Sequence, residues 1–197
     1  IALIGWGALY AAGLVHILVL ITLTLCIFVA TVIVIEFIQG TRIRHQMTKE
    51  SYQRAFLNLI WKNKRRYGGY VIHFGVLFIF LATAGEAFKT EKIVTLKKGQ
   101  AVQLKEYTIR YENFLDYPTP NKHVVATVLS VSNQGKKLGT VTARKEFYET
   151  QEQPWTRVAV FSSMKEDLYV ILSGWDEKGK ATFKILVNPL MMWLWIG

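Results

Sequence analysis

Lys64-Arg65-Arg66-Tyr67-Gly68-Gly69-Tyr70-Val71-Ile72-His73-Phe74-Gly75-Val76, running on through Leu77-Phe78-Ile79-Phe80-Leu81-Ala82-Thr83-Ala84-Gly85-Glu86-Ala87-Phe88, is the stretch from which the rest of the chain is read. Residues 68–88 hold a single acid, Glu86, in 21 positions, close to the ~20 apolar residues a helix needs to cross ~30 Å of hydrocarbon. Three cations precede this run and two tyrosines stand at its border, the pattern that holds a helix end at the headgroups on the cytoplasmic side. The expectation is a transmembrane helix over 68–88, with cytoplasm before Tyr67 and the outside after Phe88.

Upstream, residues 1–39 are almost wholly apolar. As one straight helix they would exceed the ~30 Å core, so the reading is an interfacial or re-entrant opening broken near Gly5, Gly7 and Gly13, then a full span over about 15–37. The opening run is too long, and lacks the charged start, of a cleavable signal peptide. Residues 40–67 form a basic cytoplasmic connector. Within it Tyr52, Ala55, Phe56, Leu59 and Ile60 make the stripe of an amphipathic helix, lying on the membrane surface or on another subunit.

After Phe88 the apolar period changes to two. Residues 92–96, 101–104, 107–117, 123–132, 138–147, 156–162, 168–175 and 181–187 read as strands, with turns at Lys98-Gly99, Asn133-Gln134-Gly135 and Asp176-Glu177-Lys178-Gly179. Pro118, Pro120 and Pro154 fall outside the expected strand cores. Short strands so spaced predict an antiparallel sandwich or small barrel over 89–187. Asn188-Pro189 breaks this pattern, and 188–197 begins another transmembrane helix that stops too soon to cross, as in a piece of a longer or split protein. The fold class is therefore integral membrane α-helical spans plus an all-β extracytoplasmic domain.

The chain is 51% hydrophobic and carries a net charge of +10. The charge does not imply nucleic acid: residues 42–67 contribute +7 beside the spans, where orientation in the membrane accounts for it, and 89–187 contribute +5. Cys26 is the only cysteine, so no internal disulfide or thiol pair exists. The outer domain offers no nucleophile with a base, no carboxylate pair and no metal cluster. Trp155, Trp175, Tyr117 and Phe147 form either its core or a docking surface.

Among the four histidines, His45 and His123 read as surface residues. His16 and His73 lie near opposite membrane faces, ~30 Å and ~8 Å from the cytoplasmic border, and cannot share one iron. His73 is an ionisable group inside the apolar layer and thus a candidate for function. It is either a buried imidazole bonded to a carbonyl of a neighbouring helix or a metal ligand, since neutral imidazole suits iron. Gly69 and Gly75 would let a flat ring or a second helix approach. Arg65 and Arg66 anchor the border, and both could also pair with carboxylates such as haem propionates.

Residues 65–76 resemble the "RRRYGGYIVHLGV" motif of the CcmF family, the large haem lyase subunits of cytochrome c-type biogenesis. Glu36-Phe37-Ile38-Gln39-Gly40-Thr41-Arg42 is similar to its "EFxxGxR" helix exit, and Val187-Asn188-Pro189-Leu190-Met191-Met192-Trp193-Leu194-Trp195-Ile196-Gly197 to its "VNPLxxWxWxG" re-entry. The resemblance spans the chain in order. It implies the C-terminal portion of a haem lyase of the bacterial cytoplasmic (inner) membrane, with 89–187 on the periplasmic side.

It further implies that His73 is an axial ligand to a b-type haem, that Arg65, Arg66 and Gly69 line its site, and that no catalytic residue is present. The second axial histidine, the tryptophan-rich haem-receiving motif and two external histidines of the family have no counterpart here, so this chain alone is not expected to ligate haem. The implied partners are the haem chaperone CcmE, CcmH, apocytochrome c and quinol. Two other readings stay open: a non-catalytic membrane-anchored scaffold of the cytochrome c assembly complex, and a cytochrome b-like quinol oxidoreductase subunit.

Overall fold

A computed structural model describes residues 4, 6–7, 16–151 and 153–197. The expected break near Gly5, Gly7 and Gly13 lies almost wholly outside the described residues. The chain forms two compact units, one of residues 1–87 with 190–197 and the other Phe88–Pro189.

The first unit begins with α1, Ile17–Thr48. Its Leu, Ile, Val and Phe run contains no proline and is apolar on all sides. The threonines within it bond back to the preceding turn, Thr22 to the Leu18 carbonyl at 2.8 Å and Thr31 to that of Ile27 at 2.7 Å, so their hydroxyls are satisfied in an apolar helix. The helix itself runs three turns past Phe37, where the sequence places the end of the span, and stops at Lys49, whose φ is 57°. The helix outlasts the apolar run because residues 38–48 contain no proline and the one glycine among them, Gly40, is packed: a Cβ at that position would collide with the Tyr67 hydroxyl and with Leu59.

Ser51 caps α2, Tyr52–Lys62, by accepting from the Arg54 N–H. The turn between α1 and α2 is tied by Glu50. Arg44 donates to both of its carboxylate oxygens at 3.1 and 3.2 Å, and Asn58 donates at 3.1 Å. These bonds, that of Arg44 first, hold the Glu50 carboxyl below the usual carboxylate range. His45 Nδ1 donates to the Glu50 carbonyl at 2.5 Å while its ring stacks on Tyr52. Ala55 and Leu59 are the buried members of the amphipathic stripe, whereas Tyr52 and Phe56 are exposed.

Asn63 breaks the chain into α3, Lys64–Gly85. The Phe37 ring of α1 lies 5.2 Å from that of Tyr67, 5.7 Å from Phe56 and 6.1 Å from Tyr70, an aromatic junction shared by all three helices. Both α1 and α3 are long and apolar enough to cross a membrane. A short α4, Met191–Ile196, packs on α3 with Trp193 5.2 Å from Phe78.

The second unit is a sandwich of two antiparallel sheets, not a closed barrel. One sheet has the order β1 (Thr90–Leu96), β9 (Ala181–Pro189), β8 (Glu166–Trp175), β7 (Ala159–Ser162); the other runs β2 (Ala101–Leu104), β3 (Tyr107–Thr119), β4 (Lys122–Asn133), β5 (Lys136–Tyr148), β6 (Trp155–Arg157). Alternate residues face inward, as the period of two requires: Ile109 and Tyr111, Leu129 and Val131, Leu168, Val170 and Leu172, and Phe183, Ile185 and Val187 build one core. Gly135 and Gly179 take φ of 82° and 74° in their turns, a region that favours glycine.

Two details differ from the sequence reading. Residues 156–162 are not one strand but two, β6 joining β5 in one sheet and β7 joining β8 in the other, with Val158 between them. A strand that crosses between sheets keeps its residue pattern while changing partners, so periodicity does not reveal the break. Pro118 lies inside β3, paired with His123. Its side away from β4 is open because β2 reaches only Tyr107–Arg110, so the missing N–H leaves no gap in a ladder.

Candidate functional site

His73 sits in the second turn past Gly69 and Tyr70 on α3, on an exposed face that continues through the apolar Ile72, Val76 and Phe80. Its Nδ1 is 2.8 Å from the Gly69 carbonyl oxygen. A carbonyl can only accept, so Nδ1 carries a proton, and in the neutral ring this leaves the lone pair on Nε2. The imidazole is exposed and tied to a carbonyl of its own helix rather than buried against a neighbouring one, and its other nitrogen is left without a partner among the described residues. Metal-bound histidines are commonly held this way, with the second N–H given to a backbone carbonyl.

The glycines on this helix differ in what lies beside them. A Cβ on Gly68 or Gly69 would meet nothing within 4 Å, whereas one on Gly75 would press into the Gly197 backbone. The second helix therefore approaches at Gly75 and the open space lies at Gly69, one turn from His73. Such a bare, apolar surface next to an anchored imidazole with a free Nε2 fits a flat ring ligated through iron.

The two arginines are placed differently. Arg66 donates to Glu36 of α1 at 2.6 Å and so braces α1 against α3. Arg65 is exposed and makes no ion pair with any described residue. Sequence reasoning missed Glu36 as a partner, although an acid within an apolar helix opposite a cationic border is the signal that could have found it. His16 stands at the start of α1, His45 belongs to the Glu50 turn, and His123 pairs with Asp116 at 2.6 Å. No group of three His, Cys, Asp or Glu side chains is poised for a metal among the described residues.

Sequence reading also missed Glu146 of β5, which is 1% exposed. Lys122 donates to it at 2.7 Å and Tyr148 at 3.0 Å, and Arg144 and Arg157 form ion pairs with it at 3.0 and 3.7 Å. The Lys122 bond above all holds its carboxyl below the ordinary range, against the opposing effect of burial. With three cations around its charge it braces β4, β5 and β6. Trp175 and Phe147, considered above as docking residues, pack against the core, while Tyr117 and Trp155 are exposed.

A family profile described as the CcmF C-terminal beta-sandwich matches residues 87–189. The chain belongs to the CcmF family. The cytochrome c-type biogenesis protein CcmF of Haemophilus influenzae is 24% identical over 151 residues, covering 76% of this chain and 23% of that protein. The cytochrome c-type biogenesis protein ccl1 of Rhodobacter capsulatus is 27% identical over 139 residues, 70% of this chain and 20% of that one. A solved structure titled cytochrome c heme lyase CcmF shares the fold, with a TM-score of 0.61 at 16% identity over 85% of this chain and 32% of its own. The chain spans less than a third of each of these proteins.

Proposed function

We propose that this chain is the C-terminal part of a CcmF haem lyase and that His73 is an axial ligand of a b-type haem resident in the membrane. The observation that carries the reading is the His73 Nδ1 to Gly69 carbonyl bond of 2.8 Å, which leaves Nε2 free on an open, apolar face. Family membership and the open Gly69 support it.

In this reading residues 15–37 and 68–88 span a bacterial inner membrane, residues 188–197 begin a further span, and the sandwich stands on the periplasmic side. The cationic end of α3 supports that orientation. His73 keeps its proton at Nδ1 and presents Nε2. Gly69 admits the ring, and the exposed guanidinium of Arg65 receives a propionate. Arg66, held by Glu36, fixes the helix end and adds positive potential at the same border. When bound, haem supplies an iron that carries single electrons, which in this family setting would come from quinol and keep incoming haem reduced.

The complete protein then takes haem from CcmE and, with CcmH, attaches it by thioether bonds to apocytochrome c. The present residues supply the haem-holding helix and the covering sandwich, and do not ligate haem on their own. The test is a visible spectrum of the detergent-purified complete protein, oxidised and dithionite-reduced, for wild type and His73→Ala. A b-type Soret and α band lost in the variant is the expected result. A spectrum indifferent to His73 overturns the ligand assignment.

A further inference from the structure

A groove of about 360 Å³ opens between α1 and α2, lined by Phe37, Ile38, Thr41 and Arg42 of α1 and by Tyr52 and Phe56 of α2. It lies apart from His73 and contains none of the residues assigned to haem. Three features give it a chemistry. Phe37, Ile38 and Phe56 form an apolar floor. Arg42 is exposed and has no acidic partner among the described residues. Thr41 is 9% exposed, and its hydroxyl finds no hydrogen-bond partner in the chain.

The order along α1 matters. Arg42 lies one turn beyond Ile38, about 6 Å along the axis, on the side where the charged connector begins. A molecule seated here meets the Arg42 cation with Thr41 and Tyr52 at one end and apolar rings at the other. Nearby, Trp61 is exposed with Lys64 3.8 Å over its ring, and Leu57 is exposed beside it. An apolar surface fringed with cations is what a helix shows when it rests at the boundary of headgroups and acyl chains.

We infer that the α1–α2 groove binds one anionic phospholipid of the cytoplasmic leaflet, its phosphate on Arg42 and Tyr52 and an acyl chain over Phe37, Ile38 and Phe56. The unbalanced charge of residues 42–67, +7, selects an anionic over a zwitterionic head. The direction of the groove, cation outside and rings inside, selects a lipid over a soluble anion. The inference rests on α1 lying in a membrane, as proposed above, but not on haem.

The full chain is reconstituted in nanodiscs of phosphatidylglycerol or phosphatidylcholine, released into detergent, and its retained lipid counted by native mass spectrometry. Wild type should keep one phosphatidylglycerol per chain and shed phosphatidylcholine. Arg42→Gln should lower retention about tenfold, and Thr41→Val several-fold. Lys62→Gln, which removes an equal charge from the same connector, should leave it unchanged. Equal retention of both lipids, equal retention in Arg42→Gln, or an equal loss in Lys62→Gln overturns the site. Flotation of the chain with vesicles separately reports insertion, so a failed membrane reading and a failed lipid site give different results.

Discussion

Glu146 in the sandwich is buried beneath Lys122, Arg144 and Arg157, while on α3 of the helical unit Ile72 is 68% and Phe80 52% exposed beside His73. The sandwich packs alternate apolar residues into one core and sets three cations around the acid it buries at Glu146. The helical unit does the reverse. It buries only a few aliphatic side chains, Leu20, Ile33 and Leu59 among them, joins its helices through Arg66 with Glu36 and the rings around Phe37, and leaves much of its outside aliphatic. The difference teaches where each unit finds its missing partners: the first within itself, the second in lipid, in a cofactor, or in the rest of a longer protein.

The largest expected effect comes from opening the core of the sandwich. Phe183 is fully buried, and its ring meets that of Tyr111 at 5.3 Å edge-on. Phe183→Ala should destabilise this unit by about 4 kcal/mol, from lost burial and the cavity left behind. Urea unfolding followed by near-ultraviolet circular dichroism measures it. A loss below about 1 kcal/mol would mean that the sandwich does not stand on this core, and the contrast with the helical unit would fail.

Next comes the buried charge. Glu146→Gln keeps the shape but leaves three cations without their acid, a change of about 3 kcal/mol. The same carboxylate sets an acid limit. Its folded pKa is lowered, so its stabilisation is full above the unfolded value near pH 4 and is lost as pH falls through the folded value. Wild type should therefore lose stability on acidification below about pH 4 more steeply than Glu146→Gln, which thermal melts across that range would show. Parallel curves would remove Glu146 as the group responsible.

A smaller effect belongs to the helix junction. Gly40→Val places branched carbons against Tyr67 and Leu59, forcing α1 from its neighbours at about 2 kcal/mol. Thermal loss of helical signal in detergent reads it. No loss would show that α1 and α3 are not held at this contact.

How much of this was legible in the sequence follows from which forces are periodic. The period of two in residues 181–187 and the glycine turns foretold the sandwich, because inward residues must alternate and positive φ favours glycine. The crossing at Val158 and the extension of α1 to Thr48 were not legible, since each depends on which partner a segment meets rather than on its own pattern. At the candidate site, His73 stood out as an ionisable group in an apolar run. Its tautomer did not, because the bond to Gly69 exists only once the helix forms. Glu146 carried no signal, since nothing local shows that Lys122, 24 residues earlier, and Arg157 will converge on it.

Gly69→Ala is expected to change stability least and to test the site most closely. The position is open, so an added methyl meets no protein atom, and alanine favours a helix interior by up to about 1 kcal/mol over glycine. The helix should melt at the same temperature or slightly higher. Gly68→Ala makes the same gain in propensity at a position that is equally open. The two differ in direction: at about 100° per residue, Gly69 lies about 40° from His73 around the axis and Gly68 about 140°. A ring held by His73 Nε2 must pass over the first and not the second. In the complete protein, Gly69→Ala should lower the haem-to-protein ratio several-fold while Gly68→Ala leaves it intact. Equal ratios in the two would mean that no ring lies over Gly69, and that the bare face of α3 is there for packing against another helix.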